Sequence, residues 1–350
     1  MINHLKKIFS LRNIKQYIHK IDYYPIVKLN DKFQKRKIMN VIGGELNPDK
    51  IFYVIRRYPS MGIFSNLAYV INHIQMAEGM GFIPIVDMKN YPSVYNEKQK
   101  IFNTNNSWEY YFEPLTKYSL EEVYNSKNIL MTDSRFYRDK EFKNKITTSE
   151  KLVNILNKKI KIKKTKLKTI NYLKRKLFNN KKILGVHHRG TSYKIVEYPI
   201  TINQMINIIN EILIKESYDK IFLVTEDLNN FNALRNYFGE KIIFLENSQR
   251  AKNDLDVFRK YPRNLHRYKL GRDTLFEMSL LSYCDGFFDI DTNPREIAYA
   301  MNLNPKQKRY SFNNGINKPW RYFKYLNFKW HIRNFIPESL GGFEKNKKPL

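Results

Sequence analysis

Residues 185–194 read GVHHRGTSYK. The preceding run, KKILGVH (181–187), has the composition of a buried strand, so the polar residues that follow fall at a strand end. An arginine there can hold two phosphate oxygens at once through its planar fork. Thr191 and Ser192 add hydroxyl donors beside Arg189. His187 and Arg189 share one face of an extended chain, whereas His188 points to the other. The set fits a grip on a diphosphate; the alternative is a turn whose polar groups satisfy the backbone.

Two more strand ends carry polar groups. KIFLVTED (220–227) ends in Thr225, Glu226 and Asp227, which suit sugar hydroxyls or a base edge. DGFFDID (285–291) is followed by Thr292 and Asn293. The Asp289-x-Asp291 spacing admits a second chemistry, a carboxylate pair holding Mn²⁺ or Mg²⁺ against a diphosphate. Nearer the N-terminus, YPSMGIFSN (58–66) links a strand to a helix. Gly62 allows a tight turn or a close approach, and Ser65 or Asn66 can cap the helix, whose amides favour an anion. Asp87 ends the strand FIPIVDM, and Glu109 lies beside Trp108 in SWEYYFEP. Either acid suits the base that takes a proton from an acceptor hydroxyl, or Asp87 caps a turn. The aromatic loop 89–114 is either a platform for a sugar or local core.

These residues must be positioned by alternating strands and helices. IFYVI (51–55), a helix over SNLAYVINHIQMAEGMG, FIPIVDM (82–88) and NILMTDS (128–134) make a first unit; Leu67, Val70, Ile71, Ile74 and Ala77 recur at helical spacing. Strands at 181–187, 220–227, 241–246 and 285–291 alternate with helices at 201–216, 229–239, 271–284 and 294–302 in a second. Gly239 stops one helix and Pro294 opens another. Both units read as parallel α/β sheets, in which ligands bind outside the carboxyl ends of the strands. The expected divisions are a basic helical extension (1–50), a first Rossmann-like lobe (51–156), a basic linker (157–182), a second Rossmann-like lobe of the nucleotide-binding type (183–310) and an aromatic tail (311–350) that packs back through Trp320, Tyr322, Tyr325 and Trp330.

The formal charge is +29, from 62 Lys and Arg against 33 Asp and Glu. That balance fits nucleic acid, an anionic membrane or an acidic substrate, or simply a composition rich in Lys, Asn and Ile. No helix-turn-helix, zinc-finger or RNA-recognition signature is present, so nucleic acid is not the expected partner. Cys284 is the single cysteine, which excludes an internal disulfide and points to a reducing compartment. No run reaches the roughly 20 apolar residues of a membrane span. The first twenty residues place Leu5, Ile8, Leu11, Ile14 and Ile18 at helical spacing among cations, either as a surface-lying helix or as one docked on the protein.

GVHHRGTSYK resembles the first motif of the superfamily that unites nodulation and core α1,6-, α1,2- and protein O-fucosyltransferases. MGIFSN (61–66) is similar to the same superfamily's Gly-x-Phe-Gly-Asn turn, FLVTED to its second motif, and residues 266–302 to its third. The resemblance covers about 51–302, in the expected order. It implies an α/β, GT-B-like fold of two Rossmann-like lobes with a cleft between them, an inverting transfer from GDP-fucose, and no metal or other cofactor. By the same resemblance Arg189 holds the donor diphosphate, His187 supports it, Glu277 helps bind the nucleotide, and Thr292 and Asn293 lie near the phosphates. Gly62, Phe64 and Asn66 match the first-lobe turn, and Glu197 stands near the position of a proposed catalytic base. The sequence departs from the family at Gly190 and Ser192, where many members carry arginine and aspartate. The implied partners are a nucleotide sugar and a glycan or lipid-linked oligosaccharide acceptor. The expected setting is cytoplasmic assembly of a bacterial surface polysaccharide or lipopolysaccharide, where a basic surface suits peripheral contact with an anionic membrane.

Overall fold

The computed structural model describes residues 39–57, 62–132, 149–188, 200–252, 263–290, 297–298, 301, 304–312, 314 and 332–343. Two sheets organise them. The first contains β1 (Met39–Ile42), β2 (Leu46–Ile55), β3 (Ile83–Val86) and β4 (Ser126–Met131) in the order β1-β4-β2-β3. β2 is parallel to both β3 and β4, while β1 runs antiparallel to β4. Regular structure thus begins ahead of the strand expected at 51. β1 completes its ladder against β4, a long-range pairing that local composition does not announce.

Side chains alternate across β2. Phe52 and Val54 join Ile85, Val123, Ile129 and Met131 on one face, and Tyr53 and Ile55 meet helix α1 (Ile63–Gly79) on the other. Both faces are covered, which is why the strand reads as a continuous apolar run. Helix α2 (Leu120–Tyr124) precedes β4, and Ser119 caps it by accepting from the Glu122 amide.

The second sheet has the order β7-β6-β5-β8-β9, all parallel, from β5 (Ile183–His188), β6 (Lys220–Thr225), β7 (Ile242–Ile243), β8 (Gly286–Ile290) and β9 (Lys308–Phe312). The chain moves outward from β5 through β6 to β7, then returns to the other side of β5 at β8. The strand order reverses between β5 and β8, where this class of sheet opens a crevice. The expected strand at 241–246 contracts to two residues at the edge, and β9, rich in cations, pairs where no strand was expected.

Helices α3 (Ser149–Lys159) and α4 (Lys164–Phe178) occupy the basic run, followed by α5 (Ile202–Lys215), α6 (Leu228–Phe238) and α7 (His266–Tyr283). Leu184, Val186, Leu223 and Phe288 face α5 and α6, while Ile183, Phe222, Val224 and Phe287 face the cluster containing α4 and α7. Residues 164–178 therefore form more than a solvated connection: Ile170 and Phe178 are buried, and Lys166 reaches the Tyr268 hydroxyl. α5 begins with a capping box in which Thr201 and Gln204 satisfy each other's amides. Gly239 ends α6 with φ at 55°, as its sequence position predicts.

The segment between β3 and β4 packs on the start of α7. The Tyr111 hydroxyl donates to the Tyr268 carbonyl at 2.9 Å, the Tyr268 amide donates to Glu97 at 2.9 Å, and Arg267 donates to the Asn96 carbonyl at 3.1 Å. A Cβ at Gly271 would lie 2.3 Å from the Tyr111 hydroxyl, so glycine permits this approach. The aromatic tail residues Trp320, Tyr322, Tyr325 and Trp330 lie outside the described residues.

Candidate active site

β5 carries its two histidines to opposite faces. His188 is buried on the α5–α6 side, with Nδ1 3.3 Å from the Thr225 hydroxyl and the ring beside the Asn230 amide. His187 points to the α7 side. There its Nδ1 lies 3.1 Å from Oδ1 of Asp289, a residue only 1% exposed. His187 and Asp289 are register partners across the β5–β8 ladder, at the carboxyl end where the strand order reverses. A carboxylate only accepts, so Nδ1–H donates to Asp289. The ring plane is fixed and Nε2 is left for a ligand or water, a second-partner arrangement that orients functional histidines.

Gly185, two residues earlier on the same face, explains how α7 comes near. A Cβ there would lie 2.8 Å from Leu281 Cδ2 and 3.0 Å from Cys284 Sγ. The close seat brings Glu277 of α7 within electrostatic reach of His187. Glu277 is partly exposed as a residue, yet burial of its carboxyl pushes its pKa up to about 7; Ser248, Arg250 and His187 oppose the shift, and Asp273 adds to it. At pH 7 this carboxyl stands between its two protonation states, a condition that clusters at functional sites.

Arg250 and Ser248 belong to the third strand end, which sequence reasoning passed over while weighing the first, second and fourth. Their signal was available: NSQR (247–250) follows the apolar KIIFLE. The Arg250 guanidinium lies 4.1 Å from the Phe231 ring centre and 5.1 Å from that of Phe244, and donates to the carbonyls of Ser248 and Leu245. Desolvation lowers its pKa. Behind Glu277, Asp273 is held by Arg263 and Arg272, both at 2.7 Å. The same edge therefore carries a desolvated cation, an unsettled carboxyl and an oriented imidazole.

Other expected residues fall as follows. Asp227 caps α6, accepting at 2.9 Å from the amides of Asn229 and Asn230. Glu226 is half-buried, and its carbonyl accepts from the Ala251 amide. Asp289, the first carboxylate of the Asp-x-Asp spacing, faces His187; Asp291 lies outside the described residues, as do Arg189, Thr191, Ser192, Glu197, Thr292 and Asn293.

In the first unit, α1 starts one residue after Gly62, so Ser65 and Asn66 lie within its first turn and neither caps it. The Tyr95 hydroxyl takes that place, accepting from the Ile63 amide at 2.8 Å. Phe64 and Asn66 are buried on α1. Asp87 is fully buried and accepts from the amides of Lys89 and Asn90, the Asn90 side chain and the Tyr124 hydroxyl, the arrangement of a turn cap. Glu109 accepts from Thr104 and Asn106 at 2.8 and 3.1 Å. Trp108 is buried against Phe112, with ring centres 4.4 Å apart, and its indole donates to the Glu113 carbonyl. The hydrogen bonds described for Asp87, Trp108 and Glu109 all stay within the first unit.

No protein-family model matches the chain, and no curated protein matches it in sequence. Solved structures do match its fold. The chain is similar to the fucosyltransferase NodZ from Bradyrhizobium, with a TM-score of 0.52 and 16% identity over 75% of this chain and 95% of that one. It is also similar to a NodZ α-1,6-fucosyltransferase structure soaked with GDP-fucose, with a TM-score of 0.51 and 15% identity over 75% of this chain and 95% of that one. The shared feature is the fold: two α/β sheets in the GT-B-like order that the sequence motifs imply.

Proposed function

We propose that this protein is an inverting, metal-independent glycosyltransferase that moves fucose from GDP-fucose to a glycan hydroxyl. The observation that carries the reading is the His187–Asp289 pair at the reversal point of the second sheet, beside Glu277, in a fold shared with a fucosyltransferase. Under this reading Arg189, with Thr191, Ser192, Thr292 and Asn293, holds the diphosphate, and His187 supports it through Nε2. Glu277 and Arg250 serve the nucleoside end, with Glu226 and Asp227 near the sugar or base. Gly62, Phe64 and Asn66 face the donor from the first unit.

The acceptor oxygen attacks the anomeric carbon from the face opposite the leaving group. The bond from that carbon to the phosphate oxygen breaks, GDP leaves with the electron pair, and the acceptor proton passes to a base, for which Glu197 is our candidate. Charge growing on the diphosphate is met by fixed cations and donors, a contribution of about 10²–10³ in rate for one well-aimed group. The biological setting we propose is bacterial surface polysaccharide or lipopolysaccharide assembly in the cytoplasm, with a glycan or lipid-linked oligosaccharide as acceptor.

A thermal-shift panel of nucleotide sugars tests the reading. GDP and GDP-fucose should raise the melting temperature of the wild type, and Arg189→Ala should abolish the shift without changing the ligand-free melting temperature. No response of the wild type to either nucleotide overturns the donor assignment. Transfer should also persist in excess EDTA; its loss would favour an Asp289–Asp291 metal site instead.

A further inference from the structure

We propose that the outward face of α4 is a docking surface for an anionic lipid bilayer. Residues 157–182 contain twelve Lys and Arg and no Asp or Glu. The structure turns most of that charge outward. The helix buries Lys166, Ile170 and Phe178 and half-buries Leu173 and Leu177 along one side. Lys164, Lys168, Arg175 and Lys176 are exposed on the other. Among the described residues, the ion pairs made by this run stand at its ends, Lys159 with Glu78 and Lys182 with Glu216. The central cations have no acidic partner there, so the face is not neutralised from within.

Two further observations give the face its character. Leu167 is 40% exposed and Tyr172 is 55% exposed among these cations. An apolar tip flanked by lysines suits the headgroup boundary of a bilayer, where long cationic side chains reach the phosphates and the apolar groups enter below them. A polyanion without bases, such as polyphosphate, would offer nothing to the apolar tips. On the inward side, burial first and then repulsion from Arg272 and Lys163 lower the Lys166 pKa to about 8. The helix is firmly seated, with Lys174 over the Tyr283 ring at 4.2 Å and Lys166 on the Tyr268 hydroxyl, so it presents a fixed surface. No helix among the described residues is long and apolar enough to cross a membrane, so contact through this face would be peripheral.

Co-sedimentation of the full chain with vesicles tests the proposal. Binding should be about tenfold stronger to vesicles containing one-third phosphatidylglycerol than to phosphatidylcholine alone, and should weaken steeply as salt rises. The triple variant Lys164→Glu, Lys168→Glu, Arg175→Glu should lose that preference, and the milder Lys168→Gln, Arg175→Gln pair should reduce it. The Leu167→Ser, Tyr172→Ser pair should weaken vesicle binding while leaving any binding to polyphosphate unchanged. Circular dichroism and the GDP thermal shift, read on each variant, keep folding and donor binding separate from docking. The proposal is overturned if the wild type ignores anionic vesicles, or if the folded triple variant binds them as the wild type does. It is also overturned if the apolar pair has no effect and polyphosphate displaces the vesicles, which would mark the face as a polyanion site.

Discussion

Both sheets reverse their strand order beside a central strand, yet the two carboxyl edges are built differently. At the first, β2 and β4 are followed by Arg56 and Thr132, which close on each other: the Arg56 amide donates to the Thr132 hydroxyl, that hydroxyl donates to the Arg56 carbonyl, and the Arg56 Nε donates to the Thr132 carbonyl. Nearby, Asp87, Asn106 and Glu109 are engaged in holding turns. At the second, the penultimate residues of β5 and β8 are His187 and Asp289, with an imidazole nitrogen still available and a neighbouring carboxyl whose charge is unsettled near neutrality. The hydrogen bonds of Arg56, Thr132 and Asp87 at the first edge stabilise backbone, although Arg56 Nη2 is buried with no hydrogen-bond partner among the described residues; the second edge holds an imidazole and a carboxyl in states that a ligand can change. Equal topology thus does not give equal chemistry.

The sharpest way to break this comparison is to remove the oriented ring. His187→Ala should lower kcat/KM for donor-dependent transfer by about 10²-fold, within the range for a well-placed donor. Asp289→Asn keeps the volume but removes the carboxylate, and should cost about tenfold, as loss of an orienting partner does. Because Asp289 acts through His187, the double variant should be no worse than His187→Ala alone. Full additivity would show that Asp289 has a separate role. By contrast, Thr132→Val should lower stability with little effect on the rate.

The same contrast marks what could be read from residues alone. Apolar runs at 183–188, 220–225 and 286–290 announce their strands directly, and the polar residues after them mark the edge to inspect. β1 and β9 were not legible, because each is short and partly polar and its pairing depends on a partner far along the chain. The His187–Asp289 pair was invisible for the same reason: the two residues are 102 positions apart, and only the parallel register of β5 and β8 makes them neighbours. The spacing Asp289-x-Asp291 admits metal chemistry from sequence alone; of that pair, Asp289 faces His187. The aromatic loop 89–114 admits both a sugar platform and local core from sequence, and the buried Trp108–Phe112 contact is not written in composition. Glu277 was found only through the family motif; its unsettled charge comes from burial, which spacing does not reveal.

That charge supplies the next test. Glu277 has its pKa raised to about 7, above its ordinary value of 4.5. A folded state that holds the proton more tightly loses stability relative to the unfolded chain as pH rises from about 4.5 to 7, and the loss levels off above 7. If the ionised carboxylate accepts from donors on the nucleoside, donor affinity should rise over the same approach to pH 7, by up to about tenfold per pH unit below it. Glu277→Gln should flatten both profiles. Titration calorimetry with GDP across pH 5.5–8 would read this, and a profile unchanged by the substitution would place Glu277 away from the ligand.

The smallest expected effects separate architecture from ligand approach at two glycines. At Gly271 a methyl group would strike the Tyr111 hydroxyl at 2.3 Å, in the contact between the 89–114 segment and α7. Gly271→Ala should therefore cost about 1–3 kcal/mol through overpacking, seen as a lower melting temperature with or without ligand. At Gly62 the backbone is extended, with φ −65° and ψ 157°, and a methyl group would meet only the Tyr95 hydroxyl at 3.8 Å. The protein itself does not require glycine there beyond a capping preference worth about 1 kcal/mol or less. Gly62→Ala should fold almost normally, so any larger loss must come from a ligand that approaches the backbone closely. A selective rise in KM for the donor would place the start of α1 against it. Unchanged kinetics would leave the first sheet edge with a scaffolding role and confine the donor to the second.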